Sequence, residues 1–140
     1  MTHRRRIDPK NLFDLTSHLY LDEIYRNTAQ EIIVKKAAQL GLSEWLVSYT
    51  LHACDVRGMD IIYMMPTAGD VSDFSQARFG PALEASEYLD SIVVPAGGGE
   101  NKRGADKVTL KRVRDSFIYF RGGQVGNDGS ARQLKSVPAD

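Results

Sequence analysis

A lysine, a glycine and a hydroxyl stand close together in Lys36-Ala37-Ala38-Gln39-Leu40-Gly41-Leu42-Ser43, and together they could grip a phosphate chain. The usual phosphate loop is G-x-x-x-x-G-K-[ST], set between a strand and a helix. Gly41 and Ser43 occupy the second-glycine and hydroxyl positions, Leu42 stands at the lysine position, and Lys36 opens the loop in place of the first glycine. Such a loop wraps a phosphate, so a lysine at its start can deliver an ammonium on a flexible stem to the same oxygens. Backbone N–H groups around Gly41 would point inward, and the start of a helix near Ser43 would add partial positive charge. The Ser43 hydroxyl would complete the shell of a Mg²⁺ otherwise held by phosphate oxygens and water. The same octapeptide is also explained by a strand ending in solvated Lys35-Lys36 and followed by an N-capped helix.

Whichever explanation holds, certain elements must surround the loop. Residues 31–35, around Ile32, Ile33 and Val34, read as a short strand before it. Ser43 can cap the helix after it, with Glu44 favourable in the first turn. That helix runs to about Cys54 and places Leu42, Trp45, Leu46, Tyr49 and Ala53 on one face. Upstream, residues 9–26 read as a helix with Leu12, Leu15, Leu19 and Ile24 as its stripe. Downstream, Ile61–Met65 is a continuous apolar run, as for a strand buried on both faces, and Pro66 ends it. Asp70 or Ser72 can cap a helix through Val71, Phe74 and Ala77, and Pro81–Leu89 is a second helical stretch with proline at its start. Ile92–Val94 reads as a short strand, residues 95–104 as a glycine-rich loop, and residues 122–130 as another. Val108–Val113 and Phe117–Arg121 form a hairpin around Arg114-Asp115-Ser116. This order begins an α/β domain with a parallel sheet core plus a β-hairpin.

Bulk properties narrow the function. The 140 residues suit one domain, with 42% hydrophobic and 26% charged residues, a globular balance. Net charge is zero, but residues 101–140 hold nine basic and four acidic residues. That basic third could face nucleic acid, although a hairpin with solvated Lys and Arg is the plainer explanation of the charge position alone. One cysteine, Cys54, excludes an internal disulfide and reads as a small core residue. No apolar run approaches the ~20 residues of a membrane span, and the Met-Thr-His-Arg-Arg-Arg start lacks a secretory h-region. A reducing cytoplasm is the expected compartment.

Other polar residues have plainer explanations. His3, His18 and His52 have no metal-like spacing with Cys54, and His52 reads as structural. Asp70 and Asp73 are explained as helix N-terminal acids. Arg78 could contact DNA or a neighbouring subunit, or cap the end of its own helix.

Three further stretches give the loop a context. Residues 36–45 resemble the deviant Walker A of lambda-type terminase large subunits of tailed phages, in which lysine opens the loop. Ile62-Tyr-Met-Met-Pro-Thr67, Asp70-Val-Ser-Asp-Phe-Ser-Gln-Ala-Arg78 and Pro81–Leu89 look like the strand, helix and turn that follow there. Val108–Arg112, Phe117–Gly122 and Leu134–Asp140 resemble the hairpin and the approach to Walker B. The similarity covers about residues 20–140. It implies a P-loop ATPase domain of the ASCE type, with residues 1–30 as a helical lead-in and 31–140 as the front part of that domain, followed by an RNase H-type nuclease. It implies ATP and Mg²⁺ as cofactors, and double-stranded viral DNA, the portal protein and the terminase small subunit as partners. A homo-oligomer working at the procapsid portal is implied too, and the intact protein would pump DNA and cut concatemers as an endonuclease. By position, Lys36 would contact the β- and γ-phosphates, Gly41 and Leu42 would offer N–H groups, Ser43 would ligand Mg²⁺ and Gln39 would sense the γ-phosphate. Gln30 or Tyr25 could meet the adenine.

The same resemblance places Walker B just beyond Asp140. With the catalytic Glu outside these residues, the chain alone is expected to bind nucleotide weakly and not to turn over. A helicase-like ATPase and a non-catalytic prophage remnant are the competing readings.

Overall fold

The computed structural model describes residues 13–94 and 108–124. A 3₁₀ turn at Leu19–Leu21 leads into α1 (Asp22–Arg26), and after a long irregular stretch α2 (Leu42–Arg57) begins. Then follow β1 (Ile61–Met65), α3 (Ala68–Phe74), a π-helical turn (Ser75–Phe79), α4 (Gly80–Glu84), α5 (Glu87–Ile92), β2 (Leu110–Val113) and β3 (Ser116–Gly122). The sheet order is β1-β3-β2. Strand β3 pairs parallel with β1, from Ile61↔Ile118 to Met65↔Gly122, and antiparallel with β2. This is the expected mixed α/β arrangement with a parallel pair and a hairpin.

Register sorts the side chains. Ile61, Tyr63, Met65, Lys111, Val113, Ile118 and Phe120 share one face because side chains alternate along a strand. Onto that face pack Val47, Leu51 and Cys54 of α2, Val71 and Phe74 of α3, Phe79, Ala82 and Leu83, and Leu89 and Ile92 of α5. The helices therefore lie on one side of the described sheet. Burial of β1 on both faces is not found: Ile62 is half-buried and Met64 is 57% exposed. A continuous apolar run hides that alternation.

Helix α2 is held from two sides. Val47, Leu51 and Cys54 face the sheet, while Leu42 and Trp45 join Leu21 in a second cluster flanked by Leu15, Ile24, Tyr25 and Ile32. The single stripe expected from periodicity is thus corrected: Leu42, Trp45 and Ala53 are buried, but Leu46 and Tyr49 are outward-facing and exposed. The helix also runs past Cys54 to Arg57, because the stop is Gly58 at φ 65°, a left-handed position that glycine adopts without steric cost.

Two upstream elements differ from expectation. The described part of the 9–26 helix is reduced to the 3₁₀ turn at Leu19–Leu21 and the short α1. Asp14 Oδ1 accepts from the Thr16 N–H at 2.8 Å, a local bond that competes with the helix ladder, and Leu19 is 74% exposed. Residues 31–35 form no strand: Ile33 is 88% exposed and only Ile32 packs, against the second cluster. β-Branched residues favour a strand only where a partner supplies the ladder, and no described strand pairs there.

The downstream elements follow the sequence more closely. Strand β1 and the hairpin stand where expected, with Arg114 at φ 53° in the turn. The strand expected at Ile92–Val94 shrinks to a Val93↔Val113 bridge because Ile92 ends α5. The capping residue of α3 is Thr67, in a reciprocal box with Asp70, rather than Asp70 or Ser72. The 95–104 loop, residues 125–130 of the second loop and the Leu134–Asp140 stretch lie outside the described residues.

Lys111 is 2% exposed on the core face of β2. Burial pushes its ammonium down to about 8, against a smaller opposing pull from Glu84. A lysine depressed in the native state makes stability rise with pH, since the unfolded chain keeps its proton longer. Between pH 8 and 9 stability should rise by about 1 kcal/mol. Above pH 9 the Cys54 thiol, pushed up to about 12 by burial, opposes the rise. Urea unfolding at pH 8 and 9 should show the gain in the parent chain and not in Lys111→Met.

Candidate functional site

The loop residues Lys36, Ala37, Ala38, Gln39 and Leu40 are all exposed. Lys36 Nζ donates to the carbonyl of its neighbour Ala37 at 3.2 Å, so its side chain is turned back along the loop. Two left-handed residues then redirect the chain: Gln39 at φ 60° and Gly41 at φ 73°. Between them, the Leu40 carbonyl accepts from the Tyr20 hydroxyl at 3.2 Å. Gly41 is needed twice over. Its φ suits glycine, and a Cβ there would lie 3.1 Å from Leu21 Cδ1. Leucine 21 is itself buried against Leu42 and Trp45, so the second cluster holds the loop against the helix start.

Gly41 is the N-cap of α2, and its carbonyl accepts from the N–H groups of Glu44 and Trp45 at 3.0 and 3.1 Å. The N–H groups of Leu42 and Ser43 have no intrahelical acceptor, as at any helix start. Ser43 is not the cap that the sequence suggested: it is the second residue of the helix, with no side-chain cap bond, and it is exposed. Leu42 is buried in the second cluster. The structure thus brings Gly41, Leu42 and Ser43 together at one helix N-terminus, with Lys36 on the exposed arm that leads into it. The strand expected before the loop is absent, so the strand–loop–helix setting is present only on its helix side.

The parallel strands β1 and β3 point their carboxyl ends away from the α2–β1 connection, toward the start of α2. The connection from α2 to β1 is short, residues 58–60, so β1 starts where α2 ends. There Ser116 Oγ donates to the Cys54 carbonyl at 3.2 Å, and Asp60 Oδ1 accepts from the Phe117 N–H at 2.7 Å. At the opposite end, burial first and the Glu44 charge second push the Tyr63 hydroxyl up to about 12. Arg78 Nη1 also lies 3.7 Å from Glu44 Oε1. By its sequence, Arg78 is suited to cap its own helix or to meet DNA or a neighbouring subunit. The structure places it across from the first turn of α2, a long-range pairing with no local signal.

His52 Nδ1 is buried without a hydrogen-bond partner among the described residues, and burial, then Arg57, hold its pKa below the ordinary value. Tyr25 packs in the second cluster and its hydroxyl donates to Ser48 Oγ at 3.4 Å, while Gln30 is exposed. Among the described residues no group of three or more His, Cys, Asp and Glu could hold a metal ion, and no helix is long and apolar enough to cross a membrane.

These features define a mixed α/β domain in which a helix N-terminus and the ends of parallel strands share one edge, the place where open α/β sheets bind ligands. A family model described as phage terminase large subunit gpA, ATPase domain, matches residues 19–140, and the chain belongs to that family. It is therefore a terminase-type ATPase domain of the DNA-packaging kind. No curated protein and no solved structure matches it.

Proposed function

We propose that residues 36–43 bind the phosphates of ATP together with Mg²⁺, as the nucleotide site of a DNA-packaging motor. The observation that carries this is the entry to α2: a left-handed glycine packed on Leu21 opens a 16-residue helix whose first donors lack intrahelical partners. Family membership supplies the ligand class.

In this reading the Gly41 turn aims the Leu42 and Ser43 N–H groups at a phosphate. Lys36 leaves the Ala37 carbonyl and places its ammonium on the β- and γ-phosphates. Gln39, exposed at the tip of the loop, faces the outer phosphate. The exposed Ser43 hydroxyl is one Mg²⁺ ligand, and the others are phosphate oxygens and water. Bound MgATP supplies the phosphoanhydride whose hydrolysis drives transport. The partners of this activity are double-stranded viral DNA, a portal protein and a small terminase subunit, with cleavage of concatemers by a nuclease of the same system.

Titration of the chain with a fluorescent ATP analogue and Mg²⁺ tests the reading. Lys36→Ala should weaken binding about 10- to 100-fold, the range of a charge-assisted contact. Ser43→Ala should remove the Mg²⁺ dependence. Equal affinity in parent and Lys36→Ala would rule the loop out as the site.

A further inference from the structure

The pairing of Arg78 with Glu44 is not required by the loop, and it comes from an unusual piece of backbone. Ser75–Phe79 form a π-helical turn between α3 and α4, a rare geometry that is frequent at functional sites. Within it, Ser75 Oγ is fully buried with no hydrogen-bond partner among the described residues. Arg78 leaves from this turn and reaches the first turn of α2, where Glu44 directly follows Ser43. The contact is a weak strut, since the Arg78 side chain is 63% exposed and water screens the 3.7 Å pair.

We propose that Arg78 is a second cation of the nucleotide site, one that favours a triphosphate over a diphosphate, and that Glu44 holds its guanidinium beside the helix start until ligand binds. The proposal rests on the reading of residues 36–43 as the phosphate loop. A guanidinium fork matches phosphate oxygens in pairs, which an ammonium does not. A triphosphate carries more negative charge than a diphosphate, so an added cation at the edge of the site contributes more to its affinity.

The test is isothermal titration of the full chain with MgATPγS and with MgADP, in the parent, Arg78→Ala, Arg78→Lys and Lys36→Ala. The expected result is a loss of about tenfold or more for MgATPγS in Arg78→Ala, with MgADP changed by no more than about twofold. Arg78→Lys should fall between Arg78→Ala and the parent. Arg78→Ala that weakens neither ligand, or both equally, overturns the role of Arg78, and the loop reading stands if Lys36→Ala still weakens both. A parent chain that binds neither nucleotide overturns both readings.

Discussion

Phe79→Ala is expected to destabilise the chain by about 3–5 kcal/mol, the cost of emptying a fully buried aromatic site. Phe79 is 0% exposed and meets Phe120 edge-on, with ring centroids 5.2 Å apart. Phe120 in turn lies 5.7 Å from Tyr63, and Tyr63 stacks on Phe74 at 4.7 Å. These rings tie the π-helical turn and α3 to the central strand β3. They are joined by covalent chain on several sides, so the pocket left by alanine cannot collapse freely. A loss of this size is a large fraction of what a domain this small has in total. Urea unfolding followed by circular dichroism measures it. A loss below about 1 kcal/mol would mean that the helical layer does not seal the sheet as described.

Asp55→Ala should cost about 2 kcal/mol through a different mechanism, the stranding of polar groups. The Asp55 side chain is 12% exposed and sits at the carboxyl end of α2. It accepts from Arg114 Nε in the hairpin turn and from the Tyr88 hydroxyl of α5, the latter at 2.7 Å. Arg114 Nη2 also donates to the Tyr88 hydroxyl at 3.3 Å, closing a triangle between helix, hairpin and α5. Arg114 is half exposed, so solvent screening lowers the ion-pair share and the hydrogen bonds carry most of the effect. Asp55→Asn keeps one acceptor and should lose less. A double-mutant cycle with Tyr88→Phe should give a coupling of at least about 0.5 kcal/mol. Additive losses would mean that the triangle does not act as a unit.

Local signals explain which parts of this architecture were legible in advance. Strand β1 was bounded by Pro66 and an apolar run, and the hairpin by Arg114-Asp115-Ser116 between alternating segments, so both could be placed closely. The family likeness was readable because three separated stretches kept their order and spacing. Residues 31–35 misled because Ile32, Ile33 and Val34 have strand propensity but no described ladder partner. The Thr67–Asp70 box was within reach of the sequence, since a hydroxyl three residues before an acid is a known helix opening. Asp55 with Arg114, and Glu44 with Arg78, were not legible. Their partners lie 59 and 34 positions apart, and neither the helix nor the strand period speaks to such distances. At the loop, residue types pointed to Lys36, Gly41 and Ser43. The left-handed turn at Gly41 and its contact with Leu21 depend on the fold of residues far from the octapeptide.

Thermal unfolding of the chain with and without MgATP tests the central claim most directly, because a ligand bound only by the folded state must raise its stability. Saturating MgATP, at about 100 times the dissociation constant, should add about 2.7 kcal/mol and raise the midpoint in a concentration-dependent way. Lys36→Ala, at the same nucleotide concentration, should show a much smaller rise. A midpoint that does not move with MgATP at any concentration, or that moves equally in Lys36→Ala, would contradict the assignment of residues 36–43 as the nucleotide site.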